Sequence, residues 1–305
     1  MTMTPTSSSA TPPASPPEVD SRFISLREVS FFYDPASAAP ALDNISLDIA
    51  TGEFVALLGH NGSGKSTLAA HINGLRQPTH GQVLVAGLDT RDRVSLASIR
   101  ELVGMIFADP DNQIIATVVE DDVAWSLAAR GYPRDEIARR VDAALNAVSL
   151  ADERKRPPTE LSGGQRQRLA IASALALRPV CLVADEPTSL LDPQARRETL
   201  ALLGALRREY GLTLVYVTHL LEEAALADRI VVLEYGRIAL EGPPAMVLSD
   251  LDRLRALRLV VPEIALLGAR LREYGVPVPY DAVSPEALLD ALDVFRRGAR
   301  KETAP

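Results

Sequence analysis

The chain has 305 residues, 47% hydrophobic and 24% charged, with 40 acidic against 32 basic side chains and a formal net charge of −8. That size suits one main domain with a smaller appendage, and the acidic balance argues against nucleic acid as a partner, because binding a phosphate backbone rests on Lys and Arg releasing counterions. The single cysteine, Cys181, excludes an intrachain disulfide and a thiolate zinc cluster and reads as core, and no run approaches the roughly 18 apolar residues of a membrane-spanning helix.

Residues 1–21 are rich in Pro, Ser and Thr, with neither a basic start nor an apolar run, which predicts a disordered tail rather than a secretory signal. Between Phe23 and Asp48, short β-rich runs lie on either side of the turn Asp34-Pro35, a β-rich entry subdomain. The run FVALL at residues 54–58 reads as a buried strand; it leads into GHNGSGKS at residues 59–66, after which Leu68, Ile72 and Leu75 supply a helical face. Strand, glycine loop and helix form the order that a phosphate cradle requires. Gly59, Gly62 and Gly64 let the chain curl so that backbone donors from His60, Asn61 and Ser63 through to Thr67 surround an anion at a helix N-terminus. Lys65 then reaches the β- and γ-phosphates, and Ser66 takes a position on Mg²⁺.

Residues 88–160 turn helical, with Leu96, Ile99 and Val103 at short helical spacings and a long helix over 134–150, which predicts a mostly helical insert. LSGGQ at residues 161–165 then opens a helix, and strands follow at 181–184, 213–217 and 230–233 with a helix between the first two. Such alternation predicts an α/β fold with a parallel sheet. Asp185 ends an apolar strand, where a carboxylate emerges at the carboxyl edge of the sheet and holds Mg²⁺ through water, and Glu186 follows as general base or water orienter. Two amphipathic segments close the chain, one with Ile264, Leu267, Leu271 and Tyr274, the other with Leu288, Leu289, Leu292 and Phe295 opened by Ser284-Pro285. The expected organisation is an ATPase domain over 22–245 and a small helical C-terminal domain over 246–305.

Taken together these strings resemble the ABC-type ATPase subunits, a P-loop NTPase family, over roughly residues 23–244. GHNGSGKST resembles the Walker A loop, LSGGQRQR the signature, CLVADEP the Walker B strand with its catalytic glutamate, SLLD at 189–192 the D-loop, and Thr218-His219 the switch histidine. The resemblance implies that Tyr33 stacks on adenine, that Lys65, Glu186 and His219 act in ATP hydrolysis, and that Asp192 lies near the nucleotide. It also implies that Ser162, Gly163, Gly164 and Gln165 face a nucleotide held by another subunit, so that two nucleotide domains meet head to tail around two ATP molecules, the second being another copy of this chain or a homologue. After a strand over 103–107, VGMIF, Ala108 departs from the family, which usually has a glutamine there that helps ligate Mg²⁺; a water, Asp109 or Gln113 is the candidate replacement.

The run FADPDNQIIATVVEDDVAW at residues 107–125 is similar to the region that energy-coupling factor ATPases present to their membrane partner, and the tail is similar to their C-terminal domain. Read without that resemblance, Glu120, Asp121 and Asp122 form a solvated charge run and the last helices a stabilising cap. The implied function is ATP-driven import of a metal ion or vitamin through a separate membrane permease of the energy-coupling factor type, from the cytoplasmic face of the membrane. The alternatives are a soluble non-transport ABC ATPase and a weakly catalytic regulatory subunit.

Overall fold

A computed structural model describes residues 22–35 and 39–302, with side chains described to residue 297; the expected disordered tail lies outside the described residues. The first strands, β1 (Arg22–Phe31) and β2 (Leu42–Ala50), alternate buried and exposed positions and pair antiparallel. Beyond them come β3 (Phe54–Leu58), α1 (Lys65–Ile72), β4 (His80–Val85), β5 (Leu88–Asp89), α2 (Ser95–Leu102) and β6 (Val103–Ile106). The helices α3 (Val119–Ala129) and α4 (Arg134–Ala147) precede α5 (Gly163–Leu175), β7 (Cys181–Asp185), α6 (Pro193–Tyr210) and β8 (Thr213–Thr218). The chain continues with α7 (Leu221–Ala224), β9 (Arg229–Glu234), β10 (Arg237–Gly242), α8 (Pro244–Val247), α9 (Leu251–Ala256), α10 (Glu263–Glu273) and α11 (Pro285–Glu302).

Two sheets result. One is antiparallel, in the order β2-β1-β4-β5; the other runs β10-β9-β3-β8-β7-β6 and is parallel except where β10 turns back on β9. The strands β3, β7 and β8 are apolar along their length because both faces are covered, as expected of a parallel sheet between layers. The period of two sorts their side chains. Ala56, Leu58, Leu182, Ala184, Leu214 and Tyr216 face a core shared with the helices from α3 to α6. Val55, Leu57, Val183, Val215 and Val217 face the core between this sheet, α1 and the antiparallel sheet.

Four details differ from expectation. The helical insert is narrower than residues 88–160, because β5 pairs with β4 and β6 joins the parallel sheet beside β7. Val103 opens the strand expected over 103–107, which ends at Ile106, so of the helical spacing only Leu96 and Ile99 lie on α2. Leu75 lies past the end of α1 and is exposed, so Leu68 and Ile72 carry the apolar face. The long helix ends at Ala147, with Leu150 buried beyond it. At the other end, Ser284 caps α11 as its spacing predicts, its Oγ accepting from the Ala287 N–H at 3.2 Å. The C-terminal helices do not fold on a core of their own alone: Leu254, Leu257, Leu259, Ala265 and Val283 belong to the main helical core, and only Val278, Ala282 and Leu288 form a separate small cluster.

Candidate nucleotide-binding site

The site follows from strand register. Leu58 pairs with Thr218 across β3 and β8, and Asp185 pairs with Val217 across β7 and β8, so the residues just past these strand ends emerge side by side. These are the glycine loop, Glu186 and His219. Ligands of open α/β sheets sit at this carboxyl edge.

The loop from Gly59 to α1 is fixed by contacts that only glycine permits. A Cβ on Gly59 would lie 2.6 Å from the Leu233 carbonyl, and one on Gly64, whose φ is 105°, would lie 2.7 Å from the Ala41 carbonyl. The loop is also tied to the turn between β9 and β10, where the Gly236 N–H donates to the Ser63 carbonyl at 3.0 Å. Lys65 is 4% exposed, and its Nζ donates to the carbonyls of Gly59 at 2.8 Å and His60 at 3.1 Å while lying 3.6 Å from Glu186 Oε1. Burial lowers its pKa, opposed by the charges of Glu186 and Asp185. Ser66 Oγ donates to Asp185 Oδ1 at 2.8 Å. The Asp185 carboxyl is raised, chiefly by burial and further by Glu186, with Ser66 and Lys65 opposing. Glu186 Oε2 lies 3.4 Å from His219 Nδ1, a buried nitrogen without a hydrogen-bond partner, and the Glu186 backbone takes the left-handed φ of 47°.

A cleft of about 550 Å³ is lined by Tyr33, Asn61, Gly62, Gly64, Lys65, Ser66, Thr67, Ala108, Asp185 and Glu186. Tyr33 stands at its rim, 60% exposed; its hydroxyl bonds Thr67 Oγ1 at 2.9 Å, and the Arg76 guanidinium lies 4.5 Å from its ring centre. Beside the cleft, His60 and Ser63 complete the loop, the His60 Nδ1 lying 2.7 Å from the Asn61 carbonyl. The other expected residues stand elsewhere. Ser162 and Gln165 form a reciprocal cap at the start of α5, Gln165 N–H to Ser162 Oγ at 3.2 Å and Ser162 N–H to Gln165 Oε1 at 2.9 Å. Ser162, Gly163, Gly164 and Gln165 do not line the cleft beside Lys65. Asp192 caps α6, accepting from Gln194 and Ala195 N–H at 2.9 and 3.0 Å, which holds its carboxyl below the ordinary range.

Ala108 faces the cleft, and two candidate replacements for the missing glutamine are committed elsewhere. Asp109 accepts from the Asp111 N–H and from Asn112 Nδ2, both at 3.0 Å. Gln113 accepts from the Phe107 N–H at 3.2 Å and donates to the carbonyls of Met105 at 3.3 Å and Ala170 at 3.1 Å. The charge run is not simply solvated either: Asp122 is 4% exposed, accepting from Ile115 and Ala116 N–H and from Ser173 Oγ, and Glu120 pairs with Arg154 and Lys155. No local pattern points to Thr188, Arg196 or Glu223, which crowd behind Glu186 and His219 in a cavity of about 60 Å³; a buried acid in a short helix has no periodic signal.

A glycine cradle with a buried lysine, a strand-end aspartate–glutamate pair and a histidine one strand away defines an ATP-binding cassette ATPase. The ABC transporter family pattern matches residues 42–189. The energy-coupling factor transporter ATP-binding protein EcfA1 of Symbiobacterium thermophilum is 51% identical over 276 residues, 88% of this chain and 96% of that protein. The protein of that name from Enterococcus faecalis is 44% identical over 269 residues, 88% and 96% of the two chains. Among solved structures, cbiO1 of Clostridium perfringens, described as part of the ABC transporter complex cbiONQ, aligns with a TM-score of 0.71 at 34% identity over 81% of this chain and 99% of that one. A dimeric ATP-binding cassette in a post-hydrolysis state with ADP and Pi aligns with a TM-score of 0.66 at 33% identity, over 72% of this chain and 98% of that one. The chain belongs to the ABC transporter ATP-binding family, within its energy-coupling factor branch. It is an ATPase, and among the described residues no helix is long and apolar enough to cross a membrane.

Proposed function

We propose that this chain hydrolyses Mg-ATP in a site completed by a second ATPase subunit and thereby drives import through a separate integral membrane permease. The observation that carries the reading is the common register of β3, β7 and β8, which supports Lys65, Asp185, Glu186 and His219 acting on one nucleotide. Lys65 and the loop N–H groups hold the phosphates, and Glu186 orients the attacking water. His219, 3.4 Å from Glu186, contacts the γ-phosphate. Ser66 and Asp185 are hard oxygen donors within 2.8 Å of each other, which suits Mg²⁺, an ion that keeps several waters and leans on phosphate oxygens. When bound, the ion neutralises charge on the transferring phosphoryl group. Water takes the place of the missing glutamine at Ala108.

Import rather than a soluble role is supported by the transporter names of relatives at 42–51% identity. We assign residues 22–245 to the ATPase domain and 246–305 to a helical extension. The permease docks on the insert at the cytoplasmic face, where Trp125 and Ile115 are 58% and 59% exposed beside a groove lined by Arg100, Gln113 and Asp122. Glu186→Gln tests the whole reading. Turnover is expected to fall by about 10²- to 10⁴-fold, while ATP is retained in a stable dimer seen by size exclusion. A variant that hydrolyses at the wild-type rate, or stays monomeric with saturating ATP, contradicts it.

A further inference from the structure

Glu223 is 2% exposed, and a charge so deeply placed must be satisfied by its neighbours. Three hydroxyl groups converge on it. Thr188 Oγ1 donates to Oε1 at 2.6 Å, Tyr216 OH donates to Oε2 at 3.2 Å, and Thr218 Oγ1 donates to Oε2 as well. Arg196 Nε, from α6, lies 3.9 Å from Oε1. Burial, with the charge of Glu223 beside it, keeps the Tyr216 phenol protonated and able to donate. Thr218 Oγ1 in turn accepts from the Leu220 N–H at 3.0 Å.

The donors come from separate elements that each carry part of the site. Thr188 lies two residues past Glu186, and Thr218 directly precedes His219. The turn that holds Thr188 is otherwise tied by backbone bonds, Glu186 N–H to the Val217 carbonyl and Ser189 N–H to the Glu186 carbonyl, both at 3.1 Å. Glu186 holds its left-handed backbone only while its surroundings enforce it. An ionised carboxylate accepts from all three hydroxyls at once; an amide in its place would offer N–H groups to some of them, and those hydroxyls would have to turn round.

We propose that Glu223 is a positioning residue for hydrolysis: it clamps the turn bearing Glu186 to the strand end bearing His219 and so preserves their 3.4 Å relation. It touches neither nucleotide nor metal. The proposal rests on the assignment of Glu186 as water orienter, and the following experiment distinguishes a failure of the clamp from a failure of that assignment. The full chain, purified with the ATPase and membrane subunits that accompany it, is compared with Glu223→Gln, Glu223→Ala and the isosteric Thr188→Val. Because a displacement of about 1 Å costs on the order of 10²-fold in rate, kcat should fall by about that factor in Glu223→Ala and by less in Glu223→Gln and Thr188→Val. Nucleotide affinity should stay within about threefold, the mark of an interaction expressed only in the transition state. In a Glu186→Gln background, adding Glu223→Gln should lower the residual rate no further.

Unchanged kcat in both Glu223→Gln and Thr188→Val overturns the inference. So does a loss of affinity equal to the loss of turnover, which signals a packing defect. If Glu223→Ala does not fold, the Thr188→Val variant alone decides by the same two readouts. Wild-type turnover in Glu186→Gln alone would instead remove the underlying assignment, and the clamp with it.

Discussion

Asp185 shows how a functional side chain strains against its surroundings. Burial raises its carboxyl pKa, and the nearby Glu186 adds to this, while Ser66 and Lys65 only partly offset the effect. A group whose folded pKa is raised leaves stability intact at low pH and removes it as pH rises from the ordinary carboxylate range through the folded pKa. Asp185→Asn keeps an oxygen for the 2.8 Å bond from Ser66 and discards the buried charge. Calorimetry across pH should find this variant melting higher than wild type at neutral pH and equal to it in acid, with Mg-dependent turnover lost. A lower melting temperature at neutral pH would contradict the account. Ala108 is the second case. Asp109 is bonded within its own loop and Gln113 to Met105 and Ala170, which supports the proposal of water in the glutamine's place. Wild type should therefore hydrolyse ATP, and Ala108→Gln should lower the Mg²⁺ concentration giving half-maximal rate. No wild-type turnover, with activity restored by the glutamine, would refute the water.

The helix α5 presents its N-terminus outward. Its first turn is stabilised by the reciprocal Ser162–Gln165 cap, and Gln165 Nε2 also reaches Glu153 at 3.3 Å, which anchors the start of the helix to the chain before it. Its apolar side, with Leu169, Ile171, Ala172 and Leu175, is buried in the helical core, so the helix cannot swing back toward the cleft that holds Lys65. The free N–H groups and the positive end of the dipole are thus available to an anion brought by another molecule. Ser162→Arg in the Glu186→Gln background should abolish the ATP-trapped dimer, with dimer and monomer resolved by light scattering, while nucleotide still binds the chain's own glycine loop. A trapped dimer that survives the arginine would show that this helix end is not part of the second site.

At the scale of the whole molecule, the proposed function has each chain supply halves of two different sites. The cradle with Lys65, Asp185 and Glu186 is one half and the start of α5 the other, and the cassette aligned in the dimeric state with ADP and Pi has the same fold. The C-terminal helices join this body through Leu254, Leu259 and Val283. The small Val278, Ala282 and Leu288 cluster fixes α10 against α11.

The glycine loop, the strand-end acids and the alternation of strands and helices were legible in the chain itself, because phosphate cradles and buried parallel strands impose residue types at fixed local spacing. So was the cap at Ser284, a purely local hydrogen bond. Other features depended on partners distant in sequence. Residues 88–160 looked mostly helical because Leu96, Ile99 and Val103 fit a helical period; the strand over 103–107 was legible within them, but its place beside β7, with Val103 paired to Cys181, was not. The strand β10 has little apolar pattern and exists through its antiparallel pairing to β9. The bonds that commit Gln113 join it to Ala170, and those that bury Glu223 gather Thr188 and Tyr216 from separate elements. Local spacing encodes what a residue offers its immediate neighbours; whether that offer is taken up depends on the sheet register and packing that bring distant segments into contact.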